Sequence, residues 1–89
     1  MRAEDMLPDH LDHTRIDGVL VRKGSVGAFL ANARVWSDGE ADAEARAQAE
    51  RHIVEALPAL RALGLFEVLE IRDPGLRAFV AGMSEVTVA

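Results

Sequence analysis

The sequence contains no cysteine in its 89 residues. This excludes a disulfide framework, a thiol nucleophile, and any zinc or iron–sulfur site with cysteine ligands. A cysteine-free chain is also typical of the reducing cytoplasm, which is the location we expect. Nowhere do about 18 apolar residues follow one another, so neither a membrane-spanning helix nor a membrane partner is expected.

Large aromatic side chains are scarce, with one tryptophan, three phenylalanines and no tyrosine. Much of the 49% hydrophobic content is alanine, which contributes little free energy when buried. A chain of this length buries only a little over ~60% of its unfolded surface. The composition therefore predicts one small domain that gains stability by forming a homodimer. High alanine, arginine, aspartate and glycine usage is typical of a GC-rich bacterial genome.

Positive charge is also limited, because 10 lysines and arginines stand against 15 acids, for a net charge of −5. No broad basic face can form, so nucleic-acid binding is not expected. Residues 14–36 carry four cations against one acid, whereas residues 38–55 carry six acids against two arginines. Such segregation favours self-association, or another protein as the partner.

The chain divides into three predicted parts. Residues 1–13 are acidic, contain a proline and have few large apolar side chains, which predicts a flexible N-terminal arm. Residues 14–83 are predicted to form the single globular domain, and residues 84–89 a C-terminal tail.

The β-formers of residues 14–22 surround an Asp17-Gly18 pair, a strong turn signal. They predict a short hairpin, or a single strand with a turn. Ser25 is then predicted to cap a helix that begins near Val26, because its hydroxyl can accept a hydrogen bond from a backbone N–H. Apolar residues spaced by three or four continue this helix to Trp36.

A long alanine-rich helix is predicted from Glu40 to Leu63, because this segment consists mostly of strong helix formers. Its apolar positions share one face, with small residues first and large ones last. Pro58 is expected to kink the helix or to break it into two pieces. Gly64 is a suitable C-terminal cap.

Leu65–Ile71 is predicted to form a buried strand, although a short helix fits the same apolar run. Asp73-Pro74 then predicts a short helix that continues toward Met83. The predicted fold is helix-rich α+β: a short N-terminal β element, a helix, a long proline-kinked helix, a strand and a short C-terminal helix. The alternative is an all-α bundle.

Glycines and positive charge around residues 23–27 suggest an anion site at a helix start, where backbone N–H groups can hold phosphate or carboxylate. The glycine and lysine order does not match a nucleotide-binding loop, and a tight turn before a helix cap explains the same residues. The candidate ligand-binding residues are Lys23, Gly24, Ser25, Gly27 and Arg34.

Small residues on the long helix suggest a surface for close approach by a partner, and the lone tryptophan could contribute to it. The candidate interface residues are Trp36, Ala45, Ala49 and Ile53. The alternative for Trp36 is that it closes the core beneath the long helix. His10 and His13 could face the same way on a helix, but no third ligand is evident, so no metal is expected.

No serine in the sequence has an identifiable base partner, so no catalytic residues are proposed and the sequence favours a protein without enzymatic activity. No cofactor is expected. The leading hypothesis is a non-enzymatic protein–protein interaction module or homodimer. The alternative is a binder of a small anion or phosphate ligand at the Gly24–Gly27 turn.

Overall fold

The computed structural model describes residue 2, residue 5 and residues 12–88, with only the backbone described for residues 84–88. A two-stranded antiparallel sheet is followed by four helices, and 66% of the chain is helical. This confirms the predicted helix-rich α+β class. The described elements are β1 (His13–Ile16), β2 (Val19–Arg22), α1 (Ser25–Ser37), α2 (Ala43–Leu63), α3 (Leu65–Val68) and α4 (Pro74–Val88).

The N-terminal β element is a hairpin rather than a single strand. Ile16 pairs with Val19 across the turn, and Thr14 pairs with Val21. Asp17 and Gly18 both have positive φ, 50° and 79°. Two such residues suit a two-residue hairpin turn, because that turn matches the right-handed twist of the strands.

The start of α1 differs from the prediction at Ser25. The helix begins at Ser25 itself, and Gly24 occupies the N-cap position with a left-handed φ of 84°. The Ser25 hydroxyl does not cap the helix. It donates a 2.6 Å hydrogen bond to the carbonyl oxygen of Arg22 and so connects the helix to β2.

The long helix α2 begins three residues later than predicted. The carboxylate of Asp38 accepts a 2.9 Å hydrogen bond from the N–H of Glu40, which stabilises a turn at that position. Asp42 is the N-cap instead, because its Oδ1 accepts a 2.7 Å hydrogen bond from the N–H of Ala45.

Helix α2 continues through Pro58 without a break, so the second of the two expected outcomes, a division into two pieces, does not occur. It ends as predicted at Gly64, whose φ of 80° is readily adopted by glycine.

The prediction of a strand at Leu65–Ile71 is wrong. Leu65–Val68 form one helical turn, in which the N–H of Leu69 donates to the carbonyl of Leu65 at 2.9 Å. This segment packs against α2 and does not join the sheet, which within the described residues consists of β1 and β2. Leu65, Phe66 and Ile71 still contact the core, which explains the apolar run.

The C-terminal helix α4 begins at Pro74, as predicted. Asp73 caps it by accepting a 2.8 Å hydrogen bond from the N–H of Leu76. The helical backbone extends past Met83 to Val88. The predicted N-terminal arm falls mostly on residues outside the described part, and the division into arm, domain and tail stays a prediction.

The core is small and centred on α2. Its Ile53, Leu57 and Leu60 are the most deeply buried large side chains, while α1 contributes Phe29. In the described part, eight hydrophobic residues are buried and no polar side chain is: Val21, Phe29, Ala49, Ile53, Leu57, Leu60, Leu76 and Val80.

Candidate functional site

The predicted interface residues on α2 are buried or half-buried within the fold. Ala49 and Ile53 are only 2% and 0% exposed, and Ala45 is half-buried. Helix α1 and strand β2 both pack against α2. The chain itself therefore covers these side chains, and Ala49 and Ile53 are not available to a partner.

Trp36 also belongs to the packing within the chain. It is half-buried and stacks on Phe79 of α4, with 5.6 Å between ring centroids and an angle of 28° between planes. A Cβ atom placed on Gly75 would lie 3.6 Å from the Trp36 ring. Trp36 thus closes the contact between α1 and α4 and packs against the core cluster. Its role in an interface stays a prediction.

The predicted anion-binding residues divide into two groups. Lys23, Gly24 and Ser25 line a cleft of about 380 Å³, here called the hairpin cleft. Gly27 and Arg34 do not line it, and Arg34 lies nine residues beyond the helix start, on the order of 13 Å along the axis. The lining residues are Leu20, Arg22, Lys23, Gly24, Ser25, Ala28, His52, Glu55, Ala56 and Ala59.

The chemistry of the hairpin cleft is mixed. No side chain caps the N-terminus of α1, so its first backbone N–H groups can donate to an anion. Arg22 and Lys23 add positive charge, and His52 of α2 faces the same cleft beside the acidic Glu55. His52 is distant from Lys23 in sequence, so no local motif could have linked the two.

A second surface, which sequence reasoning missed, is an apolar groove between α1 and α3. This α1–α3 groove has a volume of about 290 Å³. Leu30 on one wall is 53% exposed, and Leu69 on the other is 59% exposed. The adjacent Val68 is exposed as well. The groove is lined by Val26, Phe29, Leu30, Ala33, Leu65, Phe66, Leu69, Glu70, Ile71, Arg72 and Leu76.

The two walls of the α1–α3 groove arise from local structure. The rings of Phe29 and Phe66 meet edge to face, with centroids 5.9 Å apart, and join the walls. Leu30 follows Phe29 along α1 and is turned away from the core toward solvent. Leu69 follows α3 in an extended conformation, with φ −118° and ψ 145°. The buried strand predicted over Leu65–Ile71 would have placed Leu69 in the core. The sequence therefore did not indicate an exposed groove at Leu69.

The described part of the chain offers no metal site. Its residues contain no group of three or more histidine, cysteine or acidic residues suited to a metal ion. His13 is exposed at the start of β1, whereas His10 lies outside the described residues. Within the same ranges, none of the helices has the length and apolar character required to cross a bilayer.

Comparison with known proteins assigns no family to this chain. No family model matches the sequence, no curated protein matches it, and no solved structure matches its fold. Inference about function therefore rests on the geometry of the α1–α3 groove and the hairpin cleft.

Proposed function

We propose that this chain is a non-enzymatic protein–protein interaction module that forms a homodimer through the α1–α3 groove. The observation that carries the proposal is the exposure of Leu30 and Leu69 on facing walls of one apolar groove. Apolar side chains clustered on a surface mark sites of association, whereas isolated ones need no explanation. The cytoplasm remains the expected location.

A second copy of the chain is the occupant that these features favour. The core contains few large side chains, so the free chain has little apolar burial to offset its conformational entropy. A two-fold dimer uses the same patch on both subunits. Because leucines project beside an apolar groove, the leucines of one copy can pack into the groove of the other.

Leu30→Gln and Leu69→Gln are each expected to raise the dimer dissociation constant about tenfold. Each substitution acts twice in a symmetric dimer, and burial of apolar area contributes about 25 cal/mol per Å². Glutamine keeps the size and helix-forming tendency of leucine without adding charge. Sedimentation equilibrium over a range of concentrations measures the constant directly.

Val35→Gln is the matched control, because Val35 is an exposed apolar residue of α1 that does not line the groove. It should leave the dissociation constant unchanged, and circular dichroism should show all three variants folded. A wild-type chain that stays monomeric at high concentration would refute the proposal. Equal weakening by Val35→Gln would show that the interface lies elsewhere on α1.

An anion-binding function at the hairpin cleft is the second candidate. It is favoured because one cleft contains Arg22, Lys23, His52 and the uncapped N-terminus of α1. If phosphate binds with a dissociation constant of about 1 mM, then about 10 mM phosphate should raise the melting temperature by roughly 8 °C. Chloride at equal ionic strength serves as the control for a salt effect.

Lys23→Ala should abolish the phosphate-dependent shift, because it removes one of the cleft's cations. Arg46→Ala is the matched control, since Arg46 is an exposed cation that does not line the cleft. No shift in the wild-type protein, or an equal shift in Lys23→Ala, would remove the reason for this second candidate.

A further inference from the structure

We propose that a third pocket binds a small monocarboxylate with an apolar group, and that Arg61 holds the carboxylate. This pocket, here called the Arg61 pocket, is formed by the end of α2, by α3 and the connection after it, and by α4. Its volume is about 310 Å³, and it shares no lining residue with the hairpin cleft. The inference does not depend on the proposed homodimer.

Two guanidinium groups line the Arg61 pocket, and they differ in their partners. Arg77 donates through Nη1 to Oε1 of Glu70 at 2.9 Å and to the carbonyl oxygen of Ile71 at 3.1 Å. Arg61 forms no ion pair with any described residue. Its one hydrogen bond in that part of the chain runs from Nη2 to the carbonyl oxygen of Val80 at 3.3 Å. The pocket therefore contains one positive charge without a counter-charge.

Arg61 is suited to hold an anionic ligand. Its side chain is half-buried, so water can replace a missing partner less well than at an exposed arginine. The bond to Val80 is long compared with the typical value of about 2.9–3.0 Å, and it engages only one N–H group. The planar guanidinium has several more donors, and their fork matches the two oxygens of a carboxylate.

Apolar side chains form most of the remaining lining. Val80 belongs to the buried core, and Phe66 and Ile71 are half-buried against that core. Leu69 adds an exposed apolar side chain. Small-molecule pockets combine mostly apolar walls with a few charged groups that orient the ligand, and their volumes start at about 300 Å³. This lining favours a ligand with an apolar group over a free inorganic anion.

The charge of the pocket favours a monoanion. Arg61 and Arg77 contribute two positive charges and Glu70 one negative charge, which leaves a net charge of +1. A carboxylate balances this charge, whereas a phosphate monoester carries about −1.5 to −2 at neutral pH. The additional negative charge of the phosphate would lie near the Glu70 carboxylate, which repels it. The ligand class is therefore a monocarboxylate.

An NMR titration of the ¹⁵N-labelled chain with phenylacetate tests the proposal. We expect saturable shifts of the backbone amides of Phe66, Leu69 and Ala81, which line the pocket. Phenylacetamide keeps the shape without the charge, and acetate keeps the charge without the ring. Each should bind at least about tenfold more weakly than phenylacetate, because each lacks one of the two interactions.

Arg61→Gln should raise the dissociation constant for phenylacetate about tenfold or more, because hydrogen bonds to a charged group are lost. Arg46→Gln is the matched control, since Arg46 is an exposed arginine of the same helix that does not line the pocket. It should leave the constant unchanged. Equal affinity of wild type and Arg61→Gln, or of phenylacetate and phenylacetamide, would overturn the proposal.

Ala81→Leu tests the same pocket without changing any charge. Ala81 is exposed on α4, where leucine is also a good helix former, and the larger side chain should occupy the space of the ligand. We expect binding about tenfold weaker than wild type. Ala78→Leu makes the same change at an exposed position of α4 outside the pocket and should have no effect. This pair decides the question even if Arg61→Gln fails to fold.

The position of the shifts separates this pocket from the hairpin cleft. If phenylacetate shifts the amides of residues 23–25 and leaves those of the Arg61 pocket unchanged, the carboxylate binds at the hairpin cleft and the proposal is wrong. A wild-type chain that shows no saturable shift also overturns it. Saturable shifts at the Arg61 pocket that both Arg61→Gln and Ala81→Leu weaken would support it.

Discussion

Leu60→Ala is expected to lower the free energy of unfolding by about 3–5 kcal/mol, because the substitution leaves a cavity that the surrounding helices fill only partly. Leu60 is fully buried at the centre of the cluster formed by α1, α2 and α4. A folded chain of 89 residues is stable by only about 4–13 kcal/mol. This one substitution should therefore remove a large part of the stability. Urea unfolding followed by circular dichroism measures it.

Leu20→Ala is the matched control for this experiment. The same atoms are removed, but Leu20 is exposed on β2 and lies outside the α1–α3 groove. We expect it to cost less than about 1 kcal/mol. All measurements need one protein concentration, because dimerisation makes apparent stability depend on concentration. Similar losses from both substitutions would contradict a core centred on α2.

The elements that the sequence predicted correctly are those specified by local backbone chemistry. Asp17-Gly18 forms a hairpin turn because both residues can adopt positive φ. Gly64 ends α2 for the same reason. Asp73 precedes a proline, and together they begin α4 by capping it and by supplying the required φ. None of these features depends on where the rest of the chain lies.

Leu65–Ile71 could not be assigned from sequence because its conformation depends on distant partners. A short apolar run fits a buried strand and a helical turn equally well, and only the neighbouring element decides between them. This segment packs against α2, and the sheet of the described residues consists of the two hairpin strands alone, so the segment pairs with neither. It therefore forms one turn of helix and an extended connection.

The candidate sites depend on distant partners for a related reason. The small side chains at Ala45 and Ala49 predicted a close approach to α2, and in the structure Ala49 is buried in a chain whose own α1 and hairpin pack against α2. The local run from Lys23 to Ser25 does line one cleft. The α1–α3 groove joins Leu30 to Leu69, which no sequence spacing connects.

Pro58→Ala is expected to stabilise the protein by about 2 kcal/mol. Pro58 lies inside α2, exposed to solvent, and has no N–H to donate to the carbonyl of Val54. Alanine restores that hydrogen bond, and it is favoured over proline in a helix interior by about 3 kcal/mol. The greater freedom of the unfolded chain without proline opposes this gain by about 0.4–1 kcal/mol.

Gln48→Ala is the control for Pro58→Ala, because it places alanine at another exposed position of α2 where no hydrogen bond is missing. It should change stability by less than about 0.5 kcal/mol in the same urea experiment. A gain specific to Pro58→Ala would show that proline costs stability in a helix that the core holds together. If Pro58→Ala instead destabilises the protein, the expectation is contradicted. The packing of Leu57 and Leu60 then requires the local helix geometry that proline imposes.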